Sequence, residues 1–192
     1  MNGLGTQLGS GLNAAVLLAF GRREGLRLFA SAGDDAARVA ARSFVAAALS
    51  LPAFVCLHLL DWMQSGVPPH AARGFALDLV GYGVYWLGYA VFSHAVAGAI
   101  GRGAYWPRYI TAWNWCNVVQ YMMVTAAAIP LLIGLPDWVS EAAGIFAMGW
   151  ALWLEWFATR LALGVGPVSA GMITAMDLFA GAFVFGLIGT LS

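Results

Sequence analysis

The chain has 192 residues, 61% of them hydrophobic and only 9% charged, with nine basic and nine acidic side chains that cancel. Soluble domains carry about a quarter charged residues, so too few ionic groups remain to cover a water-facing surface. The balance gives no basic footprint for nucleic acid, and the length allows one domain.

Residues 1–42 fall short of a span. The apolar run Leu12–Phe20 is less than half of the roughly 20 residues that a bilayer core needs, and Gly21 and Gly25 break its continuation. Leu8, Leu12, Val16 and Phe20 recur at helical spacing, ahead of Arg22, Arg23 and Arg27. This predicts an amphipathic helix in the membrane interface, with the three arginines against anionic lipid headgroups. A helix packed under the bundle stays open as the alternative. The arginines come after the apolar run, the reverse of a secretory signal, so the first span is expected to act as the insertion signal. Ser31 and Asp34 form a capping-box pattern at the start of the next helix.

Five spans are predicted in residues 43–192: Ser43–Trp62, Phe75–Ile100, Tyr109–Ile133, Glu141–Thr159 and Val168–Leu191. Pro52 is positioned to kink the first. The links between them carry turn residues, notably Gly66, Pro68 and Pro69, then Gly101 and Gly103, Gly134 and Pro136, and Gly164, Gly166 and Pro167. Such short links predict antiparallel neighbours. The expected fold is an all-α integral membrane protein, a five-helix up-down bundle with an amphipathic N-terminal segment.

Arginine sets the orientation, because the chain has no lysine. With five spans, Arg22, Arg23, Arg27, Arg38, Arg42, Arg102, Arg108 and Arg160 share one side. Arg73 alone falls on the other, near Asp61, Asp78, Asp137 and Glu141. Short loops rich in arginine stay cytoplasmic, which predicts a cytoplasmic N-terminus and a C-terminus outside.

Glycine is abundant, 24 of 192 residues, and small residues let helix backbones approach closely in lipid. Gly171, Ala175, Ala182, Gly186 and Gly189 mark the last span as a helix-packing face, inside the bundle or toward a partner. Trp62, Trp106 and Trp138 sit at span ends, as an aromatic belt requires. Cys56 and Cys116 lie within spans and read as free buried thiols.

Ionisable groups inside spans are costly and carry a functional hypothesis by default. At 1.5 Å per residue, His94 lies about 12 Å from Arg102, Asn117 about 13 Å from Arg108, Glu155 about 8 Å from Arg160, and Asp177 about 15 Å beyond Pro167. Asn114, Asn117 and Gln120 succeed each other three apart. Together, His94, Asn114, Asn117, Gln120, Glu155 and Asp177 predict a polar layer at one depth. It reads either as a register-fixing hydrogen-bond layer or as a proton or ion path, with His94 and Asp177 exchanging protons. Glu155 has the further option of reaching toward Arg160. At the opposite face stand His58, Asp61, His70 and Asp78, whose spacing matches no zinc motif. No phosphate-binding loop, nucleophile elbow or metalloprotease helix occurs, and neither an enzyme nor a bound metal or cofactor is expected.

Five spans behind a cytoplasmic segment resemble the Yip (Ypt-interacting protein) family and its bacterial relatives. The residues carrying the resemblance are Phe20, Gly21, Arg22, Arg23, Glu24, Gly25, Leu26 and Arg27, then Pro52, then the glycine-rich later spans. The family's Asp-Leu-Tyr-Gly-Pro motif is absent, so no Rab-related role is implied. The lysine-free, arginine-rich composition also resembles small membrane proteins of alphaproteobacteria, which implies a bacterial inner membrane. The expected function is non-enzymatic. It is that of a scaffold, assembly factor or accessory subunit in contact with lipid and with other membrane subunits or copies of itself. A small proton- or ion-coupled transporter using the polar layer is the alternative.

Overall fold

The computed structural model describes residues 3–29 and 34–191. It is 85% helical, with no strand among the described residues. The helices are α1 (Gly3–Ala19), α2 (Gly25–Leu28), α3 (Asp34–Ser43), α4 (Val45–Ser65), α5 (Ala71–Ala99), α6 (Trp106–Ala126), α7 (Ile129–Leu132), α8 (Asp137–Leu163) and α9 (Pro167–Gly189). Four stretches are long and apolar enough to cross a membrane: Ala36–Ser65, Ala71–Ala99, Gly103–Leu132 and Pro167–Gly189. They fit a multi-pass membrane protein. The 27 residues of α8 suffice in length, but Asp137, Glu141, Glu155, Arg160 and Trp138, Trp150, Trp153 and Trp156 dilute its apolar character.

Glycine closes the helices at the expected turns. Gly101, Gly134 and Gly164 all take positive φ, and the next residue's N–H reaches back five residues, as in Arg102 to Ala97 at 2.7 Å. Proline opens α6 and α9 at the first turn, where its missing N–H costs nothing. α4 runs on through Pro52.

α6 is the central helix, packed against α1, α3, α4 and α8, while α9 lies between α8 and α5. α4 and α5 meet chiefly through side chains: Tyr82 O–H donates to the Ala47 carbonyl at 2.7 Å, and the Phe54 ring lies 4.8 Å from Tyr82. Between α5 and α6 sits an aromatic core, with Tyr89 stacked on Trp113 at 4.6 Å and Trp86 edge-on to Trp113 at 5.1 Å. Arg102, Arg108 and Arg160 gather at one end. Arg108 donates to the carbonyls of Ala162 (2.9 Å) and Leu161, capping α8. Arg102 lies beside Gly164, and Arg160 rests over the Trp156 ring. At the opposite end Arg73 donates to the Leu191 carbonyl at 3.2 Å.

The N-terminal segment packs against the bundle. α1 packs on α6 through Gly11, Ala14, Ala15 and Leu18, all buried. Gly11 is required there, because a Cβ would overlap the Trp115 indole. Leu12, Val16 and Phe20 remain exposed on the other side. The helix is therefore apolar on two faces, and the stripe that suggests an amphipathic helix is the one facing away from the bundle. Arg22, Arg23 and Arg27 are exposed. The Ser31–Asp34 capping pattern lies outside the described residues.

Candidate functional site

Two carboxyl groups meet in the interior. Asp177, on the buried face of α9 with Ala170, Ile173 and Thr174, is 3% exposed. Its Oδ1 accepts from Tyr85 O–H at 2.7 Å and its Oδ2 from Trp113 N–H at 2.8 Å. Glu155, from α8, lines the same small cavity as Asp177 and is 9% exposed. Its Oε1 has no hydrogen-bond partner among the described residues. Two carboxylates this close repel unless a proton or another cation sits between them. Two donors already point at Asp177, so a proton held by the pair belongs on Glu155.

No basic side chain offsets this charge among the described residues. The polar groups around the pair are Tyr85 and Tyr89 from α5, and Tyr109, Trp113, Cys116, Asn117, Gln120 and Tyr121 from α6. A cavity of about 150 Å³ borders Glu155 and Asp177, lined also by Tyr85, Asn117 and Gln120. A larger one of about 370 Å³ adjoins it and shares Tyr85, Asn117, Gln120, Met148, Asp177 and Leu178. They form one groove, with apolar walls from Leu57, Val124 and Phe185. Met148 of α8 and Leu178 of α9 are exposed at its rim, so it opens sideways between these two helices.

Four of the six residues expected in the polar layer therefore converge: Asn117, Gln120, Glu155 and Asp177. The other two do not. His94 is exposed and sets its ring edge-on to Trp106 at 4.8 Å, while the buried position of that turn is Ser93, bonded by Trp106 N–H at 3.1 Å. Its depth matches the layer, but one residue is 100° of rotation, enough to turn His94 out of the interior. Asn114 is buried on another side, donating to Ser43 Oγ at 2.7 Å. A spacing of three drifts by 60° per step, so Asn114 and Gln120 differ by about 120°. Gln120 instead donates to the Ala151 carbonyl at 2.7 Å and Asn117 to the Trp113 carbonyl at 3.0 Å. The groove-lining set on α6 is Asn117, Gln120, Tyr121 and Val124, with Trp113 reaching Asp177 from behind.

Glu155 does not turn to Arg160, which stacks on Trp156; five residues separate the two around more than a third of the helix. Tyr85 and Trp113 are site residues that the polar pattern alone does not find. A tyrosine in the middle of an apolar span is the available signal, since its hydroxyl needs a partner when buried. On α9, Ala175, Ala182, Gly186 and Gly189 face outward, and only Gly171 is half-buried, beside Trp156. Trp156 N–H donates to the Pro167 carbonyl at 2.9 Å. At the opposite end His58 Nε2 contacts Asp78 at 2.9 Å, beside a cavity also lined by Asp61 and His70. Among the described residues no three His, Cys, Asp or Glu side chains converge as a metal would need.

Comparison with known proteins gives no match to a family model, a curated protein or a solved structure. The carboxyl pair and its groove are therefore the features from which a function can be read.

Proposed function

We propose that the chain is a small proton-coupled transporter of the bacterial inner membrane, with five spans, a cytoplasmic N-terminus and a periplasmic C-terminus. One observation carries the reading: two buried carboxyl groups share a site with no basic partner among the described residues and open on a groove between α8 and α9. A proton-exchanging site needs groups whose charge changes with occupancy and a path to them. Glu155 and Asp177 take the exchanging role that sequence depth assigns to His94 and Asp177. The reaction is translocation, without enzymatic chemistry.

The fifth span is α8. Its support is the antiparallel run along α6, from Gln120 against Ala151 to Arg108 against Ala162. Arg102, Arg108 and Arg160 on one end and Arg73 on the other support the orientation. A reporter that reads periplasmic exposure, fused after Leu191, should be active; an inactive one refutes the periplasmic C-terminus.

The test of transport is proton flux. Liposomes holding the purified chain and a trapped pH dye are screened with added cations, anions and neutral solutes. With at least one solute they should collapse an imposed pH gradient faster than empty ones, and Glu155→Gln should abolish the difference. Equal rates for wild type and Glu155→Gln would refute the reading.

A scaffold or accessory-subunit role is the second reading, favoured by the outward small residues Ala175, Ala182 and Gly186. Native mass of the complex in mild detergent tests it. A fixed assembly with other membrane subunits or with copies of itself supports it, and a lone monomer removes it.

A further inference from the structure

We infer that the groove takes a lipophilic cation, an amine or onium group carried on an apolar body, which exchanges for the proton held by Glu155 and Asp177. This substrate class rests on the proton-coupled reading and makes it specific.

Charge decides first. The site has two acidic side chains and, among the described residues, no basic one facing it. Tyr85 and Tyr89 from α5, and Tyr109, Cys116 and Tyr121 from α6, are the other titratable groups near the pair. An anion entering here meets repulsion without compensation. With one proton the pair carries one negative charge. When a monovalent cation enters and one proton leaves to water, two carboxylates and one cation again sum to one negative charge. Either occupant leaves the buried site with the same charge, so neither is trapped by desolvation.

Shape decides second. The larger cavity, about 370 Å³, lies within the usual size range of small-molecule sites. Its walls are Leu57, Val124, Met148, Leu178 and Phe185, with the ring of Tyr121 among them. Apolar walls suit a hydrocarbon or aryl body, and aromatic faces attract its positive charge. Glu155 lines the smaller cavity, and its buried Oε1 has no hydrogen-bond partner among the described residues. Such a group, in a site deprived of water, calls for a cation or a donor. With α8 as the fifth span, the mouth between Met148 and Leu178 faces the bilayer, so a ligand that partitions into lipid reaches the pair without crossing a loop.

The experiment is titration of the purified full chain in mild detergent with tetraphenylphosphonium, monitored by calorimetry in buffers of different ionisation heat. The expected result is saturable binding with about one proton released per cation bound. Glu155→Gln and Asp177→Asn should each weaken binding at least tenfold and abolish the proton release. Leu178→Trp keeps the inference testable if those variants misfold. It narrows the mouth at an exposed position and should weaken binding several-fold, with unchanged thermal unfolding. Binding without proton release, or binding equal in wild type and Glu155→Gln, would overturn the exchange. No binding alongside Glu155-dependent proton flux in liposomes would overturn the cation class and leave proton coupling standing. Loss of both binding and flux would overturn both.

Discussion

The two halves of α6 are built differently. From Tyr109 to Cys116 every residue is buried, whereas from Val119 to Ala126 none is. The same helix is enclosed at the arginine-rich end and open at the other, because only the first half is wrapped by α1, α3 and the aromatic core of α5. α9 repeats the pattern, with Ala170, Ile173, Thr174 and Asp177 buried and nothing buried after Asp177. Glu155 and Asp177 stand where the tight half gives way to the splayed half. A packed end fixes geometry and a parted end admits a ligand, and the carboxyl pair uses both.

Substitutions probe that contrast in order of expected size. Trp86→Ala empties a site 2% exposed in the tight half and should cost about 3–5 kcal/mol. Unfolding by denaturing detergent, monitored by tryptophan fluorescence, measures it, and a cost under about 1 kcal/mol would dissolve the contrast. Arg108→Ala removes the hydrogen bonds to Ala162 and Leu161 that close α8. A charged donor is worth about 1.5–3 kcal/mol, and the same titration should register that loss. Gly11→Ala forces a methyl group into the Trp115 ring and should cost about 1–3 kcal/mol, detected as detachment of α1 by faster proteolysis near Phe20. Phe183→Ala alters the open half at an exposed position and should stay within about 0.5 kcal/mol. A large effect at Phe183 would mean that this face is covered in the membrane.

Much of the helical frame is legible because it is written locally. Apolar length and Gly or Pro turns locate α5, α8 and α9 to within four residues of their observed ends, and the start of α6 to within three. The predicted third span runs on to Ile133, past the end of α6 at Ala126 and through α7. The site is legible in depth but not in azimuth. Counting residues from Arg102 or Arg108 ranks groups along the membrane normal, and it cannot say that Ser93 faces inward while His94 faces out. The donors to Asp177 come from α5 and α6, 92 and 64 residues away in the chain, so no local pattern announces them. The two-faced character of α1 is hidden for a related reason. Gly11 looks ordinary in sequence, and only the nearby bulk of Trp115 makes a residue without a side chain the one that packs there.

α9 is fastened at both extremities, by Trp156 N–H on the Pro167 carbonyl and by Arg73 on the Leu191 carbonyl. Mechanically it is a beam held at its supports. Such a beam cannot swing like a gate; it yields only by bowing at mid-length, where Leu178 and Gly181 border the groove. Spin labels replacing Met148 and Leu178 should separate when the groove fills, while a pair at Ala71 and Thr190 keeps its distance. If the second pair moved instead, α9 would be a lever with one loose end.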